Sequence, residues 1–152
     1  DILLLGKALG GGMPLGAFIA SHSLMASLTH DPVLGHITTF GGHPVCCAAG
    51  LAGMKALLEE KRISEVAVKS QLFRDGLKNR LINDVRTAGL LIAVEFENFD
   101  INKKIIDRCI EFGLITDWFL FAPECMRIAP PLVITEDEIR KACEIILGAC
   151  GD

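Results

Sequence analysis

Lys7 is the residue of this chain whose surroundings point most directly to chemistry. It follows Ile2-Leu3-Leu4-Leu5-Gly6 and precedes Ala8-Leu9-Gly10-Gly11-Gly12. Four large aliphatic residues in a row read as an interior strand of a parallel sheet, buried on both faces. The amine then stands where that strand ends and a glycine-rich turn begins. Two fates are open to such a lysine. Its long stem lets the ammonium reach water. Alternatively, partial desolvation lowers its proton affinity and leaves a neutral amine, which is a nucleophile toward carbonyls and a base. A nucleotide phosphate loop is excluded, because there the glycines come first and Lys-Ser/Thr opens the helix. Here Lys7 precedes its glycines and is followed by Ala8.

The other reactive side chains lack that kind of context. Cys46, Cys47, Cys109, Cys125, Cys143 and Cys150 contain no C-x-x-C pair. Cys46, Cys47 and Cys143 fall among alanines and leucines of expected helices, where a reduced thiol packs as a small hydrophobe. Free thiols in a reducing compartment are expected. His22, His30, His36 and His43 do not pair on one helix face, so no metal site is expected.

The elements that must position Lys7 follow from the pattern. Residues 1 to about 45 read as loops and short strands around glycines, with Leu15–Ala20 as a second strand and Ser21–Leu28 as a short helix. Pro44 suits a first helical turn, and Val45–Glu60 is rich in alanine and leucine. A second helix is expected over Ile63–Leu81, from Val66, Leu72, Phe73, Leu77 and Leu81. Lys61-Arg62 marks a bend and a domain boundary, giving domains of residues 1–61 and 62–152. Beyond it, Leu90–Phe96 reads as a strand and Asn102–Phe112 as a helix stopped by Gly113. Leu114–Thr116, Leu120-Phe121 and Met126–Ala129 are short strand candidates. Thr135-Glu136-Asp137-Glu138 is a capping box opening a last helix that runs to about Leu147.

Composition narrows the function classes. With 152 residues, 51% of them hydrophobic, the chain is long enough for an ordinary core. No apolar run approaches the roughly 20 residues needed to span a bilayer, and no export signal is visible. Net charge is −4 and the basic residues are scattered, which argues against a nucleic-acid surface. A soluble, cytoplasmic protein is expected. Asp1 leads straight into an apolar strand, so the chain is expected to be the C-terminal part of a longer protein.

Three blocks carry a family resemblance. Asp1–Ala17, with Gly6-Lys7-Ala8 and Gly10-Gly11-Gly12-Met13-Pro14-Leu15-Gly16, resembles the lysine segment of the class III pyridoxal-phosphate aminotransferases, which include acetylornithine, ornithine and 4-aminobutyrate aminotransferases. Gly35-His36-Ile37-Thr38-Thr39-Phe40-Gly41-Gly42-His43-Pro44-Val45 is similar to the family's Thr-Phe/Tyr-Gly-Gly-Asn-Pro motif. Met126-Arg127-Ile128-Ala129-Pro130-Pro131-Leu132 resembles its Arg-x-x-Pro-Pro-Leu motif. They occur in the family's order and cover essentially the whole chain, but only the later part of a family member.

The resemblance implies an α/β chain: the end of the large domain of a fold-type I pyridoxal-phosphate enzyme (residues 1–61) followed by its small α+β C-terminal domain (residues 62–152). It implies pyridoxal 5'-phosphate as cofactor and Lys7 as the Schiff-base lysine that also moves protons. Thr39, and secondarily Thr38, would donate to the cofactor phosphate of a neighbouring subunit, which makes a homodimer the expected assembly. A turn in which the hydroxyl satisfies its own backbone is the competing account of Thr39. Arg127 would recognise a substrate carboxylate or pair with a switching glutamate; an exposed arginine on an edge strand is the alternative. His43 departs from the family's asparagine and is expected to cap its helix poorly. The implied reaction transfers an amino group from an amino acid or terminal amine to a 2-oxo acid such as 2-oxoglutarate. An aminomutase or decarboxylase of the same fold type, or a non-catalytic dimerisation module, are the rival readings. The 152 residues alone are expected to be inactive, since the upstream cofactor contacts of relatives are missing.

Overall fold

The structure, a computed structural model, describes residues 1–60 and 62–151. The chain divides into two compact units, Asp1–Lys61 and Arg62–Asp152. Lys61, expected at a bend, and the terminal Asp152 lie outside the described residues.

In the first unit, β1 (Ile2–Leu5) pairs antiparallel with β2 (Ala17–Ala20), with Ile2 opposite Ala20 and Leu5 opposite Ala17. The expected parallel, doubly buried strand is therefore not what forms. The segment between the two strands is short and holds no long helix, whereas parallel neighbours need a crossover of about a dozen residues or more. Side chains of β1 consequently stay exposed in this two-stranded sheet, Leu4 by 75%. A short helix α1 (His22–Ala26) follows, capped by Ser21, and a 3-10 turn extends it over Ser27–Thr29. The longer α2 (Pro44–Glu59) opens with proline in its first turn. His43 does cap this helix, its Nδ1 accepting from the Val45 N–H at 3.3 Å, so the expectation of a poor cap is corrected. An imidazole nitrogen in its acceptor tautomer can do there what an asparagine oxygen does.

The second unit is a four-stranded antiparallel sheet packed on three helices, its strands β3 (Asp84–Ala88), β4 (Leu91–Glu95), β5 (Asp117–Phe119) and β6 (Ala122–Ile128) lying in the order β3-β4-β6-β5. Helix α3 (Arg62–Gly76) is shorter than expected. Asn79 explains the stop: its side-chain oxygen takes the Leu81 N–H at 2.9 Å and its carbonyl takes the Ile82 N–H, a turn that competes with helix. Strand β3 (Asp84–Ala88) has few apolar residues and carries no sequence signal of its own. It forms as the edge partner of β4 (Leu91–Glu95), joined by the two-residue turn Gly89-Leu90 with Gly89 at φ +64°.

Helix α4 (Phe99–Glu111) starts earlier than expected because Asn98 caps it, accepting from the Ile101 N–H at 3.0 Å. Leu114–Thr116 is not a strand, and Leu120-Phe121 is the turn between β5 (Asp117–Phe119) and β6 (Ala122–Ile128). Phe119 pairs with Ala122, but Trp118 pairs with Met126, so β6 carries a bulge over the intervening residues. Pro123, which has no N–H to give a ladder, falls in that bulge. Helix α5 (Glu136–Cys150) opens on the expected capping box, with Thr135 and Glu138 bonded reciprocally.

One face of the sheet makes the core. Ile92 lies opposite Ile128, and Val94 opposite Met126. They pack against Phe73, Leu77, Ile105, Ile106, Ile139 and Ile146 from the three helices. Along α5 the buried positions Ile139, Cys143 and Ile146 repeat at helical spacing. Gly76 lets α3 close on α5, since a Cβ there would sit 2.9 Å from the Cys143 sulfur. The residues of β4 and β6 that point the other way include Ala93, Glu95, Cys125 and Arg127.

Candidate active site

In the first unit the functional question is how the chain holds Lys7. The residue is exposed and begins a 3-10 turn, Lys7–Gly10, directly after β1 and Gly6. The expected desolvation by a buried strand is not found, because β1 itself stays largely exposed beside β2. The backbone supplies a different mark. Lys7 has φ +52°, a left-handed conformation that an L side chain adopts at a cost of about 1–2 kcal/mol. Such strain persists only where the surroundings dictate it, and it concentrates at functional positions.

The surroundings are small residues packed backbone to backbone. Leu9, Gly11 and Met13 donate to the carbonyls of Gly6, Ala8 and Gly10 at 3.1, 3.1 and 3.0 Å, winding the turn tightly. The turn then lies on α2. A Cβ on Gly11 would come within 2.4 Å of the Ala49 carbonyl oxygen. On the facing side, a Cβ on Gly50 would meet the Leu9 carbonyl and the Leu15 side chain at 2.8 Å each. The glycines after Lys7 and the Ala-Gly pair of α2 are thus one contact, and it fixes the segment from which the amine projects.

Thr38 and Thr39 sit ahead of α2 in the same unit, on a turn closed by Gly41 N–H to Thr38 carbonyl at 3.2 Å and His43 N–H to Phe40 carbonyl at 3.2 Å. The two hydroxyls differ. The Thr38 oxygen folds over the turn, 2.7 Å from where a Gly41 Cβ would be. Among the described residues neither the Thr38 nor the Thr39 hydroxyl makes a hydrogen bond, while Thr29, Thr116 and Thr135 each spend theirs within the chain. No bond joins Thr38 or Thr39 to Lys7 among the described residues.

Arg127 belongs to the second unit. It lies on β6, which has neighbours on both sides, so the edge-strand account of this arginine does not hold. One edge of its fork is occupied: Nε donates to one oxygen of Asp117 at 2.7 Å and Nη2 to the other, a bidentate pair between cross-strand partners. That hydrogen bonding, with the carboxylate's charge, raises the proton affinity of the guanidinium further. Thr116 reinforces the register by donating to the Arg127 carbonyl at 2.7 Å. On the open face of the sheet the arginine helps to line a cavity of about 420 Å³, with Ala93, Phe119, Leu120, Phe121 and Ala122. Lys69, largely buried on α3, donates to the Leu132 carbonyl and to Glu65 at 2.8 Å each, pinning the segment that follows Arg127.

Asp117, Thr116 and Lys69 were not legible as site residues. Asp117 fell between two short strand candidates, and only the hairpin register sets it opposite Arg127. A second arginine, Arg86 of β3, shares the open face of the sheet: Arg86 pairs across to Ala93, and Ala93 to Arg127. It is held by Glu95 and Asp84, and its Nη2 reaches the buried Cys125 sulfur at 3.3 Å.

Known proteins resemble the chain throughout. The family described as aminotransferase class-III matches residues 1–150. The chain is 33% identical over 151 residues to an acetylornithine aminotransferase of Caldanaerobacter subterraneus subsp. tengcongensis, covering 96% of this chain and 37% of that protein. Among solved structures, the ornithine aminotransferase of Toxoplasma gondii, crystallized with partial occupancy of pyridoxal phosphate at its active site, has a TM-score of 0.84 at 34% identity, over 98% of this chain and 36% of that one. A transaminase from the marine bacterium Virgibacillus has a TM-score of 0.87 at 26% identity, over 99% and 38%. The chain thus spans little more than a third of the length of the proteins it matches.

Proposed function

The chain belongs to the class III aminotransferase family, and from that premise we propose that the protein transfers an amino group from an amino acid or terminal amine to a 2-oxo acid, 2-oxoglutarate being the favoured acceptor. Its mixed α/β fold is that of pyridoxal-phosphate-dependent transaminases. We read the first unit as the end of the large domain and the second as the small C-terminal domain.

The observation that carries the reading is the left-handed backbone of Lys7, held by a glycine turn locked onto α2. A lysine serves as well as any polar residue on an exposed turn, and strain there needs a reason. Attachment of a cofactor aldehyde is such a reason, since the amine must be presented at one place and then released to carry a proton.

The residues present fit pyridoxal 5'-phosphate. Lys7 offers the amine for its aldehyde, and Thr39 an uncommitted hydroxyl for its phosphate, on a turn that leads into the N-terminus of α2. Thr38 is the second donor. When bound, the cofactor supplies the electron sink for breaking bonds at the amino-bearing carbon. Lys7 holds the cofactor and takes or returns the proton at that carbon; Arg127 takes a substrate carboxylate. In the whole enzyme Thr39 serves the cofactor of a second subunit, so the working form is a homodimer, and its place is the cytoplasm. No helix among the described residues is long and apolar enough to cross a membrane. The 152 residues alone do not transaminate.

Incubation of the chain with pyridoxal phosphate, borohydride reduction and peptide mapping test the reading. One modification at Lys7, lost in Lys7→Arg, is expected. Modification scattered over the surface lysines would favour a non-catalytic module. In the full-length protein, 2-oxoglutarate consumption separates amino transfer from a decarboxylase, which releases carbon dioxide without consuming a keto acid.

A further inference from the structure

We infer that Asp117 sets the carboxylate affinity of Arg127: it is an internal competitor, held on the Nε–Nη2 edge of the guanidinium, that any small carboxylate ligand must displace or sit beside. The inference rests on the reading of Arg127 as the carboxylate-recognising residue.

Geometry sets Asp117 in competition for that edge. Asp117 and Arg127 are directly opposite on β5 and β6, and both oxygens of the one meet two nitrogens of the other. That is the arrangement a ligand carboxylate would want. The partner is also pre-positioned. β6 is an interior strand, and the Thr116 hydroxyl bonds the Arg127 carbonyl at 2.7 Å, so little freedom is left for Asp117 to lose. Both side chains remain nearly half exposed, 45% for Arg127 and 47% for Asp117, so exchange with a ligand is sterically open.

Displacement has a location. On the open face of the sheet Arg127 helps to line a cavity of about 420 Å³, together with Ala93, Phe119, Leu120, Phe121 and Ala122. This suits the apolar stem of a short organic acid whose carboxylate faces the arginine. A ligand without a carboxylate leaves the Asp117 pair intact and sacrifices no ion pair. Asp117 thereby narrows the gap in affinity between carboxylate-bearing and neutral ligands.

Glutarate is the probe. Its titration into the folded chain is followed by the backbone amide resonances of Trp118 and Ile128 in nitrogen-15 NMR, for wild type, Asp117→Asn, Asp117→Ser and Arg127→Gln. Asp84→Asn, whose carboxylate meets Arg86 and the Val85 N–H and not Arg127, is the control. Exposed ion pairs set the expected scale: glutarate should bind about threefold tighter to Asp117→Asn and Asp117→Ser than to wild type. Asp84→Asn should match wild type, and Arg127→Gln should lose binding. Equal or weaker binding by both Asp117 variants, including no binding at all, overturns the role of Asp117. If Arg127→Gln still abolishes wild-type binding in that case, the carboxylate reading of Arg127 stands. Wild-type affinity in Arg127→Gln removes that reading and the inference together.

Discussion

Replacing Gly11 with alanine should loosen the Lys7 turn far more than the same replacement at Gly12. Both glycines have positive φ, +56° and +94°, so an L side chain is strained at either. That shared part is about 1–2 kcal/mol. They differ in what the new methyl would meet. At Gly12 nothing lies within 4 Å, whereas at Gly11 the Ala49 carbonyl oxygen lies at 2.4 Å. Backbone in the middle of α2 cannot rotate away, so the turn itself must lift, at an overpacking cost of roughly 1–3 kcal/mol. The total for Gly11→Ala is then about 2–5 kcal/mol. Amide hydrogen exchange at Leu9 and Met13, which donate to Gly6 and Gly10, reads the opening of this turn. Each 1.4 kcal/mol is a factor of about ten in the opening equilibrium, so Gly11→Ala should exceed Gly12→Ala by roughly tenfold to hundredfold. Equal acceleration in the two variants would refute the claim that contact with α2 holds Lys7.

The strain at Lys7 has its own test: Lys7→Gly should slow exchange at the same amides, by relief of about 1 kcal/mol, while Lys7→Ala should not. Burial pushes the Cys109 and Cys143 thiols up to about 11 from an ordinary 9.0. The unfolded chain therefore loses these protons first as pH rises, so their contribution is intact below pH 9 and lost between about 9 and 11, some 2–3 kcal/mol per thiol. Urea unfolding across that window should show the decline, and Cys109→Ala with Cys143→Ala should flatten it; an unchanged slope would mean the thiols are not what titrates. Thr135→Ala removes the hydroxyl that accepts from the Glu138 N–H, and a stability loss of about 1 kcal/mol in the same assay is expected.

How much of this was legible depends on how local the cause is. The α5 capping box, Pro44 at the start of α2 and the helix-stopping Gly113 lie within a turn or two of what they control, and the structure places helix ends accordingly. Strand β3 was invisible because an edge strand with one half-buried face carries little apolar signal. The α3 terminus was overrun because Leu77 and Leu81 continue a helical spacing while Asn79 diverts the backbone.

The candidate site divides in the same way. Residue type and spacing along the chain marked Lys7, and the resemblance of short motifs to the family's marked Thr38, Thr39 and Arg127, since motifs of this kind are local. Family membership follows from those motifs. What a side chain has beside it is set by distant segments brought together: the Gly11 turn against Ala49, the buried Lys69 amine on the Leu132 carbonyl, and Asp117 across from Arg127 through a bulge no composition announces. The exposed surroundings of β1 and Lys7 are of that kind too, because burial depends on which strands are neighbours. Sequence by itself singled out the groups to which chemistry is assigned; tertiary structure decided what holds them and what stands beside them.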